Sequence, residues 1–163
     1  MSALITVPQF PLIEEPGVFD DLTLTAATIL LESEGEPWEG QLAVGYVIAH
    51  RAEAWGSSIK RVILGPEERA YDDGRPFEAF SAWNDDYTPM ARARLSGAAE
   101  GPRATAWHAA AGALWGMAPD PVPAALFYLN VPLTKKIRGG SLPSWYAPLK
   151  VVKTIGRHEF LRG

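Results

Sequence analysis

Residues 29–44 read Ile29-Leu30-Leu31-Glu32-Ser33-Glu34-Gly35-Glu36-Pro37-Trp38-Glu39-Gly40-Gln41-Leu42-Ala43-Val44, and two helices meet inside them. Upstream, Leu22, Ala26, Ile29, Leu30 and Leu31 keep helical spacing, with Asp20 or Asp21 available to cap the start. Gly35 is a C-terminal stop and Pro37 a good first residue for the next helix, while Glu36 before it is biased away from helical dihedrals. The spacing therefore predicts Glu32 in the last turn of one helix and Glu36 in the joint. The second helix runs from about Pro37 to Ala54, with Leu42, Ala43, Val44, Val47 and Ile48 as its apolar stripe.

Outward from this joint, Ser58 to Leu64 reads as a short helix, followed by a loop rich in Gly, Pro and Asp. Further helices are predicted at about 89–95 and 102–117. Beyond Pro123 the pattern turns extended, with strands over 124–129, 149–155 and 158–161 and a hairpin around Gly156-Arg157. Helices first and strands last give an α+β domain, mainly helical, with a small C-terminal β element. Residues 1–20, with Pro8, Pro11 and Pro16, read as an extended arm lying on a domain formed by residues 21–163.

The chain of 163 residues is one domain by length, and 47% hydrophobic with 21% charged residues reads as globular. A net charge of −4 argues against nucleic acid and offers no long-range attraction to anionic glycans, so recognition has to be local. No apolar run has transmembrane length, so no membrane insertion is expected. The absence of cysteine removes disulfides, thiolate nucleophiles and cysteine-ligated zinc. Met1 to Pro8 lacks the positive segment of a secretory signal, which predicts a product that begins in a cytoplasm. Oligomeric state leaves no mark on the sequence.

Glu32 carries the chemistry in this reading. Among Ile29, Leu30 and Leu31, with Trp38 close by, its carboxyl is desolvated, its pKa rises, and it can act as a general acid. The alternative is an ordinary solvated Glu at a helix end. Glu36 and Glu39 suit the positive end of the second helix, although Glu36, four residues from Glu32, could also share its site. His50, His108 and His158 lie on separate elements without paired spacing, so no metal and no cofactor are expected. No Ser occupies a G-x-S-x-G elbow, and Gly139-Gly140-Ser141 lacks the context of a phosphate loop. Trp38, Trp83, Tyr87, Tyr128, Trp145 and Tyr146 fall in or near loops, where they can either stack on sugar faces or fill seams of the core.

Taken together, these residues resemble a family. The segment Glu32 to Val44 resembles the signature of the spore-cortex-lytic, SleB-like cell wall hydrolases: an acidic-small-x-Gly-Glu motif, then a helix of the form P-x-E-G-Q-x-A-V leading to an Asn-Arg pair. Three further blocks follow in the family's order: Phe80-Ser81-Ala82-Trp83-Asn84-Asp85, Ala125 to Asn130, and Trp145 with Ile155-Gly156-Arg157-His158-Glu159-Phe160-Leu161-Arg162. The resemblance spans about residue 22 to the end. It implies a lysozyme/transglycosylase-like fold akin to resuscitation-promoting factors, and cleavage of peptidoglycan glycan strands between N-acetylmuramic acid and N-acetylglucosamine. Glu32 becomes the single catalytic acid of a lytic transglycosylase, and Glu36, Trp83, Asn84, Asp85, Tyr128 and Asn130 become cleft residues.

Departures are visible as well. His50 replaces the family's Asn, Leu30-Leu31 replaces a Tyr-Gly pair, and Phe127 replaces the first His of an H-Y-H-N strand. The family's frequent signal peptide and wall-binding repeats are missing, which fits a phage lysin or a virion-borne enzyme, with phage virion proteins as partners. A muramidase-type hydrolase of the same bond and a non-catalytic peptidoglycan-binding or phage structural module are the competing readings. Amidase chemistry would need zinc ligands or a Cys/His pair.

Overall fold

The computed structural model describes residues 6–11, 16–65, 80–83 and 88–163. Six helices and three strands are seen there. In chain order they are α1 (Asp21–Ser33), α2 (Trp38–Ala54), α3 (Ile59–Leu64), α4 (Thr88–Gly97), α5 (Glu100–Leu114), β1 (Phe127–Asn130), α6 (Val131–Ile137), β2 (Lys150–Ile155) and β3 (His158–Arg162). Short 3-10 turns cover Pro16–Val18 and Ser81–Trp83. The mainly helical α+β expectation and the C-terminal hairpin are both met.

Caps fix the helix starts. Asp20 accepts from the Thr23 amide at 2.7 Å and Ser58 from the Arg61 amide at 3.1 Å, each satisfying a donor that the helix leaves unpaired. Helices α1, α2 and α5 then form the centre of the core. Its α5 face is built from Ala106, Ala109, Ala110 and Ala113, all buried, and such small residues let helix axes approach closely. Gly45 of α2 sits at the tightest point. A Cβ added there would lie 2.8 Å from Ala113 Cβ and 3.2 Å from Ile29 Cδ1.

The sheet has the order β1-β3-β2 and is antiparallel throughout. Tyr128 pairs with Phe160 and Asn130 with His158. Because side chains alternate along a strand, Tyr128, Phe160 and His158 share the face turned to the helices. Phe160 is fully buried there.

Two boundaries and one helix differ from expectation. Helix α5 stops at Leu114, because Trp115 and the left-handed Gly116 (φ 63°) turn the chain out. Strand β1 starts at Phe127, since Ala124 is itself left-handed (φ 63°) and the Ala125 amide closes a turn onto Val122 O at 3.0 Å. Helix α6 escaped the sequence reading despite the signals it carries: Asn130 caps it through the Leu133 amide at 3.1 Å, and Pro132 lies in its first turn. In the N-terminal segment, Phe10 is buried and stacks on Trp107 with ring centroids 5.2 Å apart, while the Trp107 indole donates to Pro8 O at 3.1 Å.

The close helix crossing makes a prediction. Gly45→Val gains no helix propensity of consequence and forces extra carbons into filled space, which costs about 1–3 kcal/mol. Thermal unfolding should show a Tm several degrees lower; an unchanged Tm would mean that α2 and α5 separate freely.

Candidate active site

Glu32 occupies the last turn of α1, as expected, and three separate elements converge on it. From β1, the Tyr128 hydroxyl donates to Glu32 Oε2 at 3.1 Å. From the turn at Ser81–Trp83, the Ala82 amide donates to Oε1 over a long 3.4 Å. From α4, Arg94 reaches the end of α1 and donates to Leu31 O at 2.9 Å and to Glu34 Oε2 at 3.3 Å. Arg94 thus satisfies carbonyls that α1 leaves open at its negative end.

The electrostatics follow from burial. Desolvation pushes the Glu32 carboxyl above its ordinary value; the Ala82 and Tyr128 bonds and the charges of Arg94 and Arg51 oppose the rise without cancelling it. Tyr128 is pushed well above the ordinary phenol value, by burial first and by Glu32 next. Its hydroxyl therefore keeps its proton and stays a donor. The result is a carboxyl group that holds its proton to higher pH than a solvated Glu, with its oxygens aimed by neutral donors.

Of the two places open to Trp83, a sugar face or a seam of the core, it takes the second. It is buried, and its indole donates to Thr28 Oγ1 at 3.0 Å. Thr28 lies one helical turn before Glu32, so this bond seats the 81–83 turn where the Ala82 amide meets the carboxyl. Asn84 and Asp85 lie outside the described residues. Asn130 caps α6, its Oδ1 accepting from the Leu133 amide.

Glu36 is brought near the site but turned away from Glu32. Gly35 is left-handed (φ 84°), which swings the chain so that the Glu36 side chain, only 2% exposed, points at the β2–β3 turn. There it accepts from Arg157 Nε at 2.6 Å and from the Arg157 amide at 3.1 Å, with His158 Nδ1 3.7 Å away. Burial alone would raise its pKa, but the two Arg157 bonds and the charges of His158 and Arg157 outweigh it, and the net direction is down. Gly156 (φ 56°) completes this clamp, because a Cβ there would fall on Glu36 Oε2. His158, held down in pKa by burial, lies edge-on to the Tyr128 ring with centroids 5.5 Å apart. Glu36 therefore supports the wall that carries Tyr128.

The sequence reading missed Arg51, Arg94 and His158. Arg51 donates to Leu126 O at 2.7 Å and lies under the rings of Phe80 and Phe127, at 5.2 and 5.7 Å. Its place in the Asn-Arg pair was the available signal. His50, where the family has Asn, sits with Nδ1 2.9 Å from Ala125 O and Nε2 2.8 Å from the Asp120 carboxylate, joining α2 to the approach to β1. Among the described residues, no group of three or more His, Cys, Asp or Glu side chains could hold a metal, and no helix is long and apolar enough to cross a membrane.

The cell wall hydrolase family profile matches residues 35–161. The chain belongs to the cell wall hydrolase family. Among solved structures it is similar to the catalytic domain of the germination-specific lytic transglycosylase SleB from Bacillus anthracis, at 25% identity and a TM-score of 0.56, over 91% of this chain and 100% of that one. It is likewise similar to the catalytic domain of the Bacillus cereus SleB protein, at 25% identity and 0.58, over 99% and 100%. No curated protein matches it. The fold is thus that of a SleB-like catalytic domain. The profile begins three residues after Glu32, so the role of Glu32 rests on its surroundings.

The Glu36 clamp is testable through pH. A folded pKa below the ordinary 4.5 means that the carboxylate's contribution is fully present above about pH 4.5 and is lost as pH falls through the depressed value. At neutral pH, Glu36→Gln should cost about 1–2 kcal/mol, discounted because Arg157 is largely exposed. Denaturation curves of the two proteins should converge on acidification; a gap constant down to pH 3 would show that the charge is not what stabilises.

Proposed function

We propose that the chain cleaves the glycan strand of peptidoglycan between N-acetylmuramic acid and N-acetylglucosamine as a lytic transglycosylase, with Glu32 as its single catalytic acid and residues 21–163 as the catalytic domain. The observation that carries this reading is a half-buried carboxyl, raised in pKa and held by the Tyr128 hydroxyl and the Ala82 amide, in a SleB-like fold. Glu32 gives its proton to the glycosidic oxygen as the C1–O bond of the muramic sugar breaks, and the leaving sugar departs as an alcohol. The carboxylate left behind takes the proton of the C6 hydroxyl while O6 bonds to C1, closing the anhydro ring and restoring the acid. No second carboxylate is needed as nucleophile. This accords with a Glu36 that is committed to Arg157. Tyr128 would orient the acid, with Asn84, Asp85 and Asn130 lining the cleft.

Glu32→Gln keeps the shape and loses the acidic proton, so release of muropeptides from purified sacculi should fall at least ~100-fold. Mass spectrometry of the wild-type products should show anhydro ends. Reducing ends instead would make the enzyme a hydrolase of the same bond, and free stem peptides would sink both readings. An independent check is stability. A carboxyl whose pKa is raised on folding destabilises the protein above its unfolded value and stops doing so as pH falls below about 4.5. Glu32→Gln should therefore melt above the wild type at neutral pH and level with it in acid. The opposite order would show a structural carboxylate.

A further inference from the structure

The net charge of −4 conceals a polarity. Residues 131–163 hold seven of the chain's 15 Lys and Arg against one, Glu159, of its 19 Asp and Glu. Two of these cations serve the fold: Arg157 pairs with Glu36 and Lys153 with Glu39. The other five, Lys135, Lys136, Arg138, Lys150 and Arg162, are exposed and have no ionic partner among the described residues.

Their placement is not neutral for stability. Lys150 and Arg162 stand directly opposite each other across β2 and β3, and like charges in such cross-strand positions repel. Alternation along β3 puts Arg162 on the same face as Phe160 and His158, the face that also carries Tyr128. Lys135, Lys136 and Arg138 lie at the other end of β1, on and just after α6, which Asn130 caps. Four strand steps, about 13 Å, separate Arg162 from His158 at the α6 end of the sheet. The positive charge thus brackets the wall that holds Tyr128 against Glu32, while the carboxylates of the molecule lie almost wholly on the rest of the chain.

We propose that this bracket is a docking surface for an anionic strand, and that its ligands are the carboxylates of the peptide side chains carried by peptidoglycan. The inference rests on the wall being the substrate. A strand threading the cleft past Glu32 brings those carboxylates to both ends of the β1 wall, where five cations without an ionic partner among the described residues meet them. The acidic remainder of the molecule repels the same polymer, so the field orients the enzyme cleft-wall first. The exposed Leu133 and Ile137 beside the cations make an anionic bilayer the competing occupant, although two separate apolar side chains are a small anchor.

Cosedimentation with purified sacculi at salt from about 50 to 500 mM tests the surface, since screening shortens over this range. Wild-type binding should weaken steadily with salt. Lys135→Glu/Lys136→Glu and Lys150→Glu/Arg162→Glu should each bind on the order of tenfold more weakly at low salt, with a flatter salt dependence. Glycan strands stripped of their peptides should bind wild type as weakly as sacculi bind the variants. The single variant Lys150→Glu should lose affinity while its Tm rises, because it faces Arg162 with an opposite charge; a purely structural role would not move the two in opposite directions. Wild-type affinity and salt response in both double variants would overturn the proposal, as would equal binding of stripped and intact strands, or tighter binding to phosphatidylglycerol vesicles than to sacculi. Salt-dependent binding without any muropeptide release would instead overturn the catalytic reading and leave this surface standing.

Discussion

A carboxyl group whose pKa stays raised cannot be given a close cation, yet it cannot be left without partners in an apolar setting. That constraint on Glu32 organises the molecule. Its two oxygens receive a phenol and an amide, both neutral. The two nearby guanidinium groups are held on backbone carbonyls: Arg94 on the end of α1 and Arg51 on Leu126. Each lowers the Glu32 pKa somewhat, and burial still wins.

The surrounding architecture serves that arrangement from three directions. The alanine-rich crossing of α2 and α5 fixes the helices beneath α1. The Trp83–Thr28 bond seats the turn that supplies the Ala82 amide. The sheet brings up Tyr128, backed by Phe160 and by the edge of His158. Glu36, far from being a spare catalytic group, pins the β2–β3 turn and so holds the wall on which Tyr128 stands.

Much of this was legible in the sequence, and what failed did so for physical reasons. The joint between α1 and α2 could be read because Gly35 and Pro37 act on the backbone locally, and the C-terminal hairpin because alternation and a Gly turn are local too. The partner of Glu36 could not be read, since Arg157 lies 121 residues away and no spacing rule reaches across a fold. Trp83 had two readings open for a related reason: the residues around it do not say which way the indole faces, and only the position of Thr28 shows it. Helix α6 was missed because seven residues with mixed polarity show no period, although its cap and its proline were both in view.

The clamp at the hairpin turn has a bearing on how this chain can vary. The space that a side chain at position 156 would need is already filled by the carboxylate of residue 36, and the left-handed backbone there already disfavours anything but glycine. The two positions, distant along the chain, are therefore one unit of inheritance. A drift away from glycine at 156 is viable only in a lineage that has first shortened residue 36. Any such lineage must find another way to hold its hairpin, or lose the alignment of the tyrosine that faces Glu32.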